Sequence, residues 1–217
     1  SILQYEARTS HAYLVNGVGN KSEGVKNIIK QNKLPSNNLS MLDIGGGIGA
    51  LLVELILDPN SPISSGVVRD HSSLYQKIYN NLVEYYSEFL ENRIEFSLGD
   101  AKEFKTKEKY DIITIFGTLL YLRKDLKGAL ENAWEKLKLN GILIIHENIK
   151  NQNYISDYSK MFAASELDEV LCPFGKITYF YESFVFPIPR FFVKNRTVFR
   201  VIKKIHWIEK ILCYQIV

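Results

Sequence analysis

Four glycines stand directly behind an acidic residue in the stretch Asp43-Ile44-Gly45-Gly46-Gly47-Ile48-Gly49-Ala50. Glycine lets the backbone take positive φ and lets a ligand approach bare amides, a freedom that costs folding entropy and so calls for a use. The use that fits is a nucleotide-like ligand. Gly45-x-Gly47-x-x-Ala50 matches the dinucleotide fingerprint, in which a helix N-terminus faces a pyrophosphate. Asp43 argues for a different ligand, because a carboxylate at the strand end repels a doubly charged pyrophosphate and attracts a cationic amine. No Gly-Lys-Ser/Thr follows the turn, which excludes a P-loop. Farther along, His146 carries an imidazole suited to taking a proton near neutral pH. Its alternative reading is a strand-end histidine bonded to backbone. Tyr121 is placed to pack on a bound base or on an acceptor, and His11 to reach over the site as part of a lid.

These residues need elements to hold them, and the hydrophobic pattern supplies an alternation of helices and strands. Val25, Ile28 and Ile29 mark an amphipathic helix over 22–33, ahead of a short strand over 39–44. Residues 50–57 read as a buried helix stopped by Asp58-Pro59-Asn60, and 63–68 as a second strand. Leu74, Ile78, Leu82, Tyr85 and Phe89 give 72–90 one inward helical face. Strands follow over 94–98, 110–116 and 141–146, with a helix over 126–137 between the last two. Nearly continuous aliphatic strands separated by helices predict a parallel sheet covered on both faces. After residue 150 the pattern changes to a helix over 165–171 and two strand-like runs, 176–186 and 197–202, expected to pair antiparallel. Ile205, Ile208, Ile211 and Leu212 form the stripe of a terminal helix, suited to docking on the sheet, a second copy of the chain or a membrane surface.

Composition narrows the class. With 217 residues, 46% of them hydrophobic, the chain suits one α/β domain: a helical cap region over 1–38, a ligand-binding core over 39–150, and a C-terminal part over 151–217. A net charge of +3 from 27 basic and 24 acidic residues supports no global attraction to nucleic acid or anionic membrane. Two distant cysteines, Cys172 and Cys213, suggest neither a zinc site nor a disulfide framework, so no metal is expected and a reducing cytoplasm is. The most apolar region, 179–193, is broken by Glu182, Pro187, Pro189 and Arg190, and no transmembrane segment or secretion signal is read.

The segment from Asp43 to Gly49 resembles the D/E-x-G-x-G-x-G first motif of class I S-adenosylmethionine-dependent methyltransferases. Four further segments fall in that family's order across roughly residues 20–202. The resemblance implies a Rossmann-like, doubly wound α/β fold with a mostly parallel seven-stranded sheet and an antiparallel last strand. It implies that Asp43, Gly45, Gly47 and Gly49 hold S-adenosyl-L-methionine. Gly66 to Ser72 resembles the second strand with its ribose-binding acid, placing Asp70 on the two ribose hydroxyls, with an ordinary helix N-cap as the alternative reading of Asp70. Arg69 stands where the family usually has an apolar residue. Asp100 and Ala101 resemble the segment that meets the adenine amino group, though Asp100 also suits a plain turn. Tyr110 to Leu122 resembles the fourth strand and the loop lining the transfer site, adding Phe116 to the cofactor set and Tyr121 to the catalytic one, and Leu137 to Gly141 stands where the family usually has a Leu-Lys-Pro-Gly-Gly turn; His146 joins the catalytic set by its position at the end of the fifth strand.

The activity implied is transfer of a methyl group to an oxygen or nitrogen of a small molecule, releasing S-adenosyl-L-homocysteine. Phe116-Gly117-Thr118-Leu119 occupies the place of the Asn/Asp-Pro-Pro-Tyr/Phe motif used on planar amides and exocyclic amines. Cys172 lies too late in the chain for attack on cytosine C5. Other readings remain: an RNA or protein methyltransferase using the basic, aromatic segment 190–214, a catalytically silent partner subunit, or a nicotinamide-dependent oxidoreductase.

Overall fold

The protein was analysed as a computed structural model, which describes residues 18–147, 162, 164–174, 176–184 and 208–215. Five strands build a parallel sheet: β1 (Leu39–Ile44), β2 (Ile63–Asp70), β3 (Ile94–Leu98), β4 (Tyr110–Phe116) and β5 (Leu137–Glu147). Their order is β3-β2-β1-β4-β5, so the chain steps outward in one direction from β1 and then returns to β4 on its other side. Such a reversal opens a crevice at the carboxyl ends of β1 and β4, where open α/β sheets bind ligands.

Alternation along each strand sends side chains to two cores. Met41, Val68, Ile112, Ile142 and Ile144 face one core, with the helices α1 (Val18–Gln31), α2 (Ala50–Leu57) and α3 (Ser73–Tyr85). Leu42, Ile44, Val67, Ile113, Ile115, Leu143 and Ile145 face the other, with α5 (Leu126–Glu135) and α6 (Ala164–Leu171). Burial on both faces explains the nearly continuous aliphatic runs of β4 and of the 141–145 stretch of β5, whereas the edge strand β3 is only partly covered. The expected helical stripe of Val25, Ile28 and Ile29 is buried in the first core, and α1 is held to α2 by the Ser22 hydroxyl donating to Glu54 at 2.6 Å and by Lys26 pairing with Asp58.

Several expectations change. The predicted helix over 72–90 is two, because Tyr86 leaves helical geometry (φ −106°, ψ 24°) and a short α4 (Ser87–Leu90) restarts after it. β5 begins at Leu137 rather than Gly141, with Asn140 in left-handed conformation (φ 64°) marking the interruption in its pairing with β4. The stripe of Ile208, Ile211 and Leu212 is no helix. Ile208–Gln215 is a strand, β7, paired with β5 and with β6 (Lys176–Phe184). The open hydrogen-bonding edge of β5 offers six residues of pairing, and tertiary pairing of this kind overrides a helical spacing of isoleucines that β propensity also favours. The strand expected over 197–202, His11 and most of the helical cap's first half lie outside the described residues. Among the described residues, no helix is long and apolar enough to cross a membrane.

Candidate functional site

β1 delivers Asp43 to the crevice and the chain then turns through Gly45, Gly47 and Gly49, all with positive φ (70°, 58° and 77°). A β carbon on Gly45 would fall inside the Thr118 side chain, and one on Gly46 would lie 2.5 Å from an Asp43 oxygen. At Gly47 the nearest atom is 4.0 Å away, on the Tyr75 ring. The first two glycines therefore make room for protein, while the third leaves open space on the crevice side of the turn. Gly49 ends the turn at the start of α2, whose first residues are buried.

Two carboxylates flank this turn, and both are buried: Asp43 is 2% exposed and Asp70 6%. Asp43 accepts a hydrogen bond of 2.7 Å from the Thr114 hydroxyl on β4. Burial pushes its carboxyl up from 3.8 to about 6, with the Thr114 hydrogen bond and the charge of Lys21 acting against the rise and Asp70 adding to it. An acid held in this condition gains most from a cationic partner. Asp70 accepts from the Gly47 amide at 3.0 Å and from the Ser72 amide at 2.9 Å. The helix N-cap is Ser72, whose hydroxyl accepts from the Tyr75 amide. Asp70 is thus tied to the glycine turn and is not the cap of α3.

Asp100 sits one strand farther out, with its side chain 45% exposed. Its carboxylate accepts from the Lys102 amide at 3.0 Å and lies 3.9 Å from the Lys102 ammonium. Ala101 is half-buried, and its carbonyl accepts from Asn132 on α5 at 2.7 Å. The two residues head a 3-10 turn over Ala101–Glu103.

On the other side of the crevice, Phe116 and His146 are register partners at the ends of β4 and β5, their rings edge to face at 5.6 Å. The Gly117 amide donates to the His146 carbonyl at 2.7 Å, so the backbone of the histidine is fixed even where the strand ends. Lys21 on α1 places its ammonium 5.5 Å from the Phe116 ring centre. Tyr121 lies in the following turn and is 79% exposed, so its ring stands in solvent rather than against Phe116 or His146. The structure brings together Asp43, Asp70 and the glycines, sets Phe116 and His146 across from them, and leaves Tyr121 apart.

Sequence reasoning missed Thr114 and Lys21 and read Arg69 only as an irregularity. Thr114 had a signal, being a polar residue set among Ile112, Ile113 and Ile115, and the structure buries it fully. Lys21 had none, since one lysine among many on an amphipathic helix carries no mark of its own. Among the described residues, no group of three His, Cys, Asp or Glu side chains is arranged to hold a metal ion. An open cavity of about 310 Å³ lies at the opposite pole, between Asn38, Asp58, Phe89 and Arg93. It faces the amino ends of the strands, away from the glycines and acids, and Arg93 there spends its guanidinium on the carbonyls of Ser64 and Phe89.

No protein-family model matches this sequence, and no curated protein matches it. Solved structures do. An S-adenosylmethionine-dependent methyltransferase from Clostridium acetobutylicum superposes with a TM-score of 0.69 over 97% of this chain and 99% of its own, at 13% identity. The N-methyltransferase NodS from Bradyrhizobium japonicum gives 0.60 over 90% and 97%, at 15% identity. The chain has the class I methyltransferase fold. The same fold carries other chemistry too, since the (4+2)-cyclase SpnF superposes with a TM-score of 0.67 over 88% of this chain and 80% of its own, at 17% identity. Within that fold, the glycine turn, the acids at the ends of β1 and β2, and Asp100 just after β3 all stand at the carboxyl edge of the sheet.

Proposed function

We propose that this chain is an S-adenosylmethionine-dependent methyltransferase acting on an oxygen or nitrogen of a small-molecule acceptor. The observation that carries the proposal is the pair of buried carboxylates, Asp43 and Asp70, on either side of a turn that is open at Gly47. Phosphate would meet two negative charges there. An aminoacyl nucleoside would offer a cationic amine to Asp43 and ribose hydroxyls to Asp70, donors that carboxylates accept in strong, charge-assisted hydrogen bonds. The donor set therefore fits the cofactor on chemical grounds. Asp100 and Ala101 would meet the adenine edge, and Phe116 would cover the bound nucleoside.

The cofactor would supply a methyl group already activated on a sulfonium. What remains for the protein is alignment and exclusion of water, which an in-line displacement needs most. The helix α1, bearing Lys21, would wall the acceptor side. His146 would take the proton that a hydroxyl or amine acceptor must lose. On this reading β6 and β7 complete a seven-stranded sheet with its last strand antiparallel, and the aromatic segment over 179–192 would close over the acceptor.

Calorimetric titration tests the proposal directly. S-adenosylhomocysteine should bind the purified chain and raise its unfolding midpoint in a concentration-dependent way. Binding of a pyrophosphate-linked coenzyme, with no heat from either sulfur nucleoside, would end it. Labelled methyl donor incubated with cell extract should then mark a small molecule rather than protein or RNA.

A further inference from the structure

Arg69 is a charged residue at a position where the sheet has little use for one. It is 8% exposed at the end of β2, between Val68 in the core and Asp70 in the site. Its guanidinium spends its hydrogen bonds on neutral oxygens: Nε and Nη2 donate to the Asp100 carbonyl at 3.1 and 2.8 Å, and Nη1 donates to the Leu98 carbonyl at 3.0 Å and the Ser97 hydroxyl at 2.8 Å. The ring of Phe104 lies 5.2 Å from its central carbon. Burying a charge among neutral acceptors costs more than burying an aliphatic side chain of similar volume, and the charges of Asp100 and Glu103 offset that cost only in part. A second residue is matched to it. Gly99 has φ +146°, and a β carbon there would fall inside the guanidinium. The clamp and the space for it are built together.

We propose that Arg69 is a positioning residue that sets adenine specificity by holding the turn at Gly99–Asp100, where the chain leaves β3, in a fixed place beside the end of β2. This inference rests on the cofactor reading above. Asp100 is half-exposed and its carboxylate is bonded only within its own turn, to Lys102. Nothing on the side chain itself sets its distance from Asp70, the ribose acid. Strand pairing carries the chain only as far as Gly99, whose amide donates to the Asp70 carbonyl at 2.8 Å; the guanidinium, on the residue before Asp70, fixes the next step by gripping the carbonyl of Asp100 with two donors in a rigid fork. Asn132 fixes the far side through the Ala101 carbonyl. Discrimination between an amino and an oxo group at the purine edge would then depend on a residue that never touches the ligand.

The test compares S-adenosylhomocysteine with S-inosylhomocysteine, which carries an oxo group in place of the adenine amine. Wild-type protein should prefer the adenosyl compound. Arg69→Met should weaken that compound about tenfold and leave the inosyl compound unchanged, and Arg69→Lys, keeping charge and stem, should fall between. On an Asp100→Asn background, where the preference is already lost, Arg69→Met should have no further effect. In ligand-free protein, amides 97–101 should exchange at least tenfold faster in Arg69→Met while those of β1 and β4 keep their protection. Unchanged discrimination in both Arg69 variants, with or without a lower unfolding midpoint, overturns the inference and leaves the cofactor reading standing. Wild-type protein that binds neither nucleoside overturns both. Should the methionine variant fail to fold, the lysine variant alone decides.

Discussion

The two sides of the crevice are built on different plans. On the β1–β3 side every acid is held by the scaffold: Asp43 by Thr114, Asp70 by the Gly47 and Ser72 amides, and Asp100 through its backbone by Arg69. On the β4–β5 side the groups able to do chemistry are held by ring contacts and strand register, as Phe116 and His146 are, or stand in solvent, as Tyr121 does. Preorganised acceptors suit a ligand whose shape does not vary. A looser wall suits an acceptor enclosed by segments from elsewhere in the chain. On the proposed function, the contrast would separate binding of the cofactor from choice of the substrate, and the two halves can be perturbed one at a time.

The largest effect is expected from the acceptor side. His146→Ala should lower kcat by about 10²–10⁴, the range for losing a general base, with affinity for S-adenosylhomocysteine unchanged. Equal losses in affinity and kcat would instead place the histidine on the cofactor side.

Next, Asp43→Asn should weaken S-adenosylhomocysteine roughly 10- to 100-fold, since it removes the charge that the ligand's amine would meet. The same change should stabilise the ligand-free protein at neutral pH. The folded-state carboxyl lies at about 6 against 3.8 for the free group, so its contribution to stability is present in full below pH 3.8 and is lost as pH rises through about 6. By that difference the asparagine variant should gain on the order of 3 kcal/mol above pH 7, measured by chemical denaturation. Weaker binding together with higher stability is a signature that a merely structural acid would not show.

Two glycines sharpen the distinction between room for protein and room for ligand. Gly45→Ala and Gly47→Ala share the strain of positive φ, about 1–2 kcal/mol. Gly45→Ala must also displace Thr118 and should lower the unfolding midpoint further. Gly47→Ala should lose more cofactor affinity than stability. The pH profile comes next: with Asp43 near 6, cofactor affinity should drop about tenfold between pH 7 and pH 5, and the asparagine variant should show a flat profile. The smallest effect is expected at Tyr121, where an exposed side chain predicts less than a twofold change in kcat or affinity for Tyr121→Phe.

Much of the binding half was legible before any coordinates, and for local reasons. A run of glycines between a strand and a helix announces its own backbone geometry, and Asp43 adjoins that run in sequence. β1 and β4 run over the residues read for them, because strands buried on both faces carry a nearly continuous apolar signal. The acceptor half was less legible. His146 could be placed at a strand end, but the ring it meets is Phe116, thirty residues earlier in the chain. The stripe at Ile208, Ile211 and Leu212 was misread because its spacing satisfies a helix, whereas the free edge of β5 that recruits it as a strand is absent from the local sequence.

Residue order alone established the turn, the acid behind it, and the alternation that makes a two-sided sheet, since each depends on neighbours within a few positions. Folding decided which partner each acid received. Thr114 is seventy-one residues from Asp43, and Arg69 grips a carbonyl thirty-one residues away. Those pairings exist because parallel strands distant in sequence end side by side, and in a buried crevice a polar group must find its partner among whatever the sheet brings near.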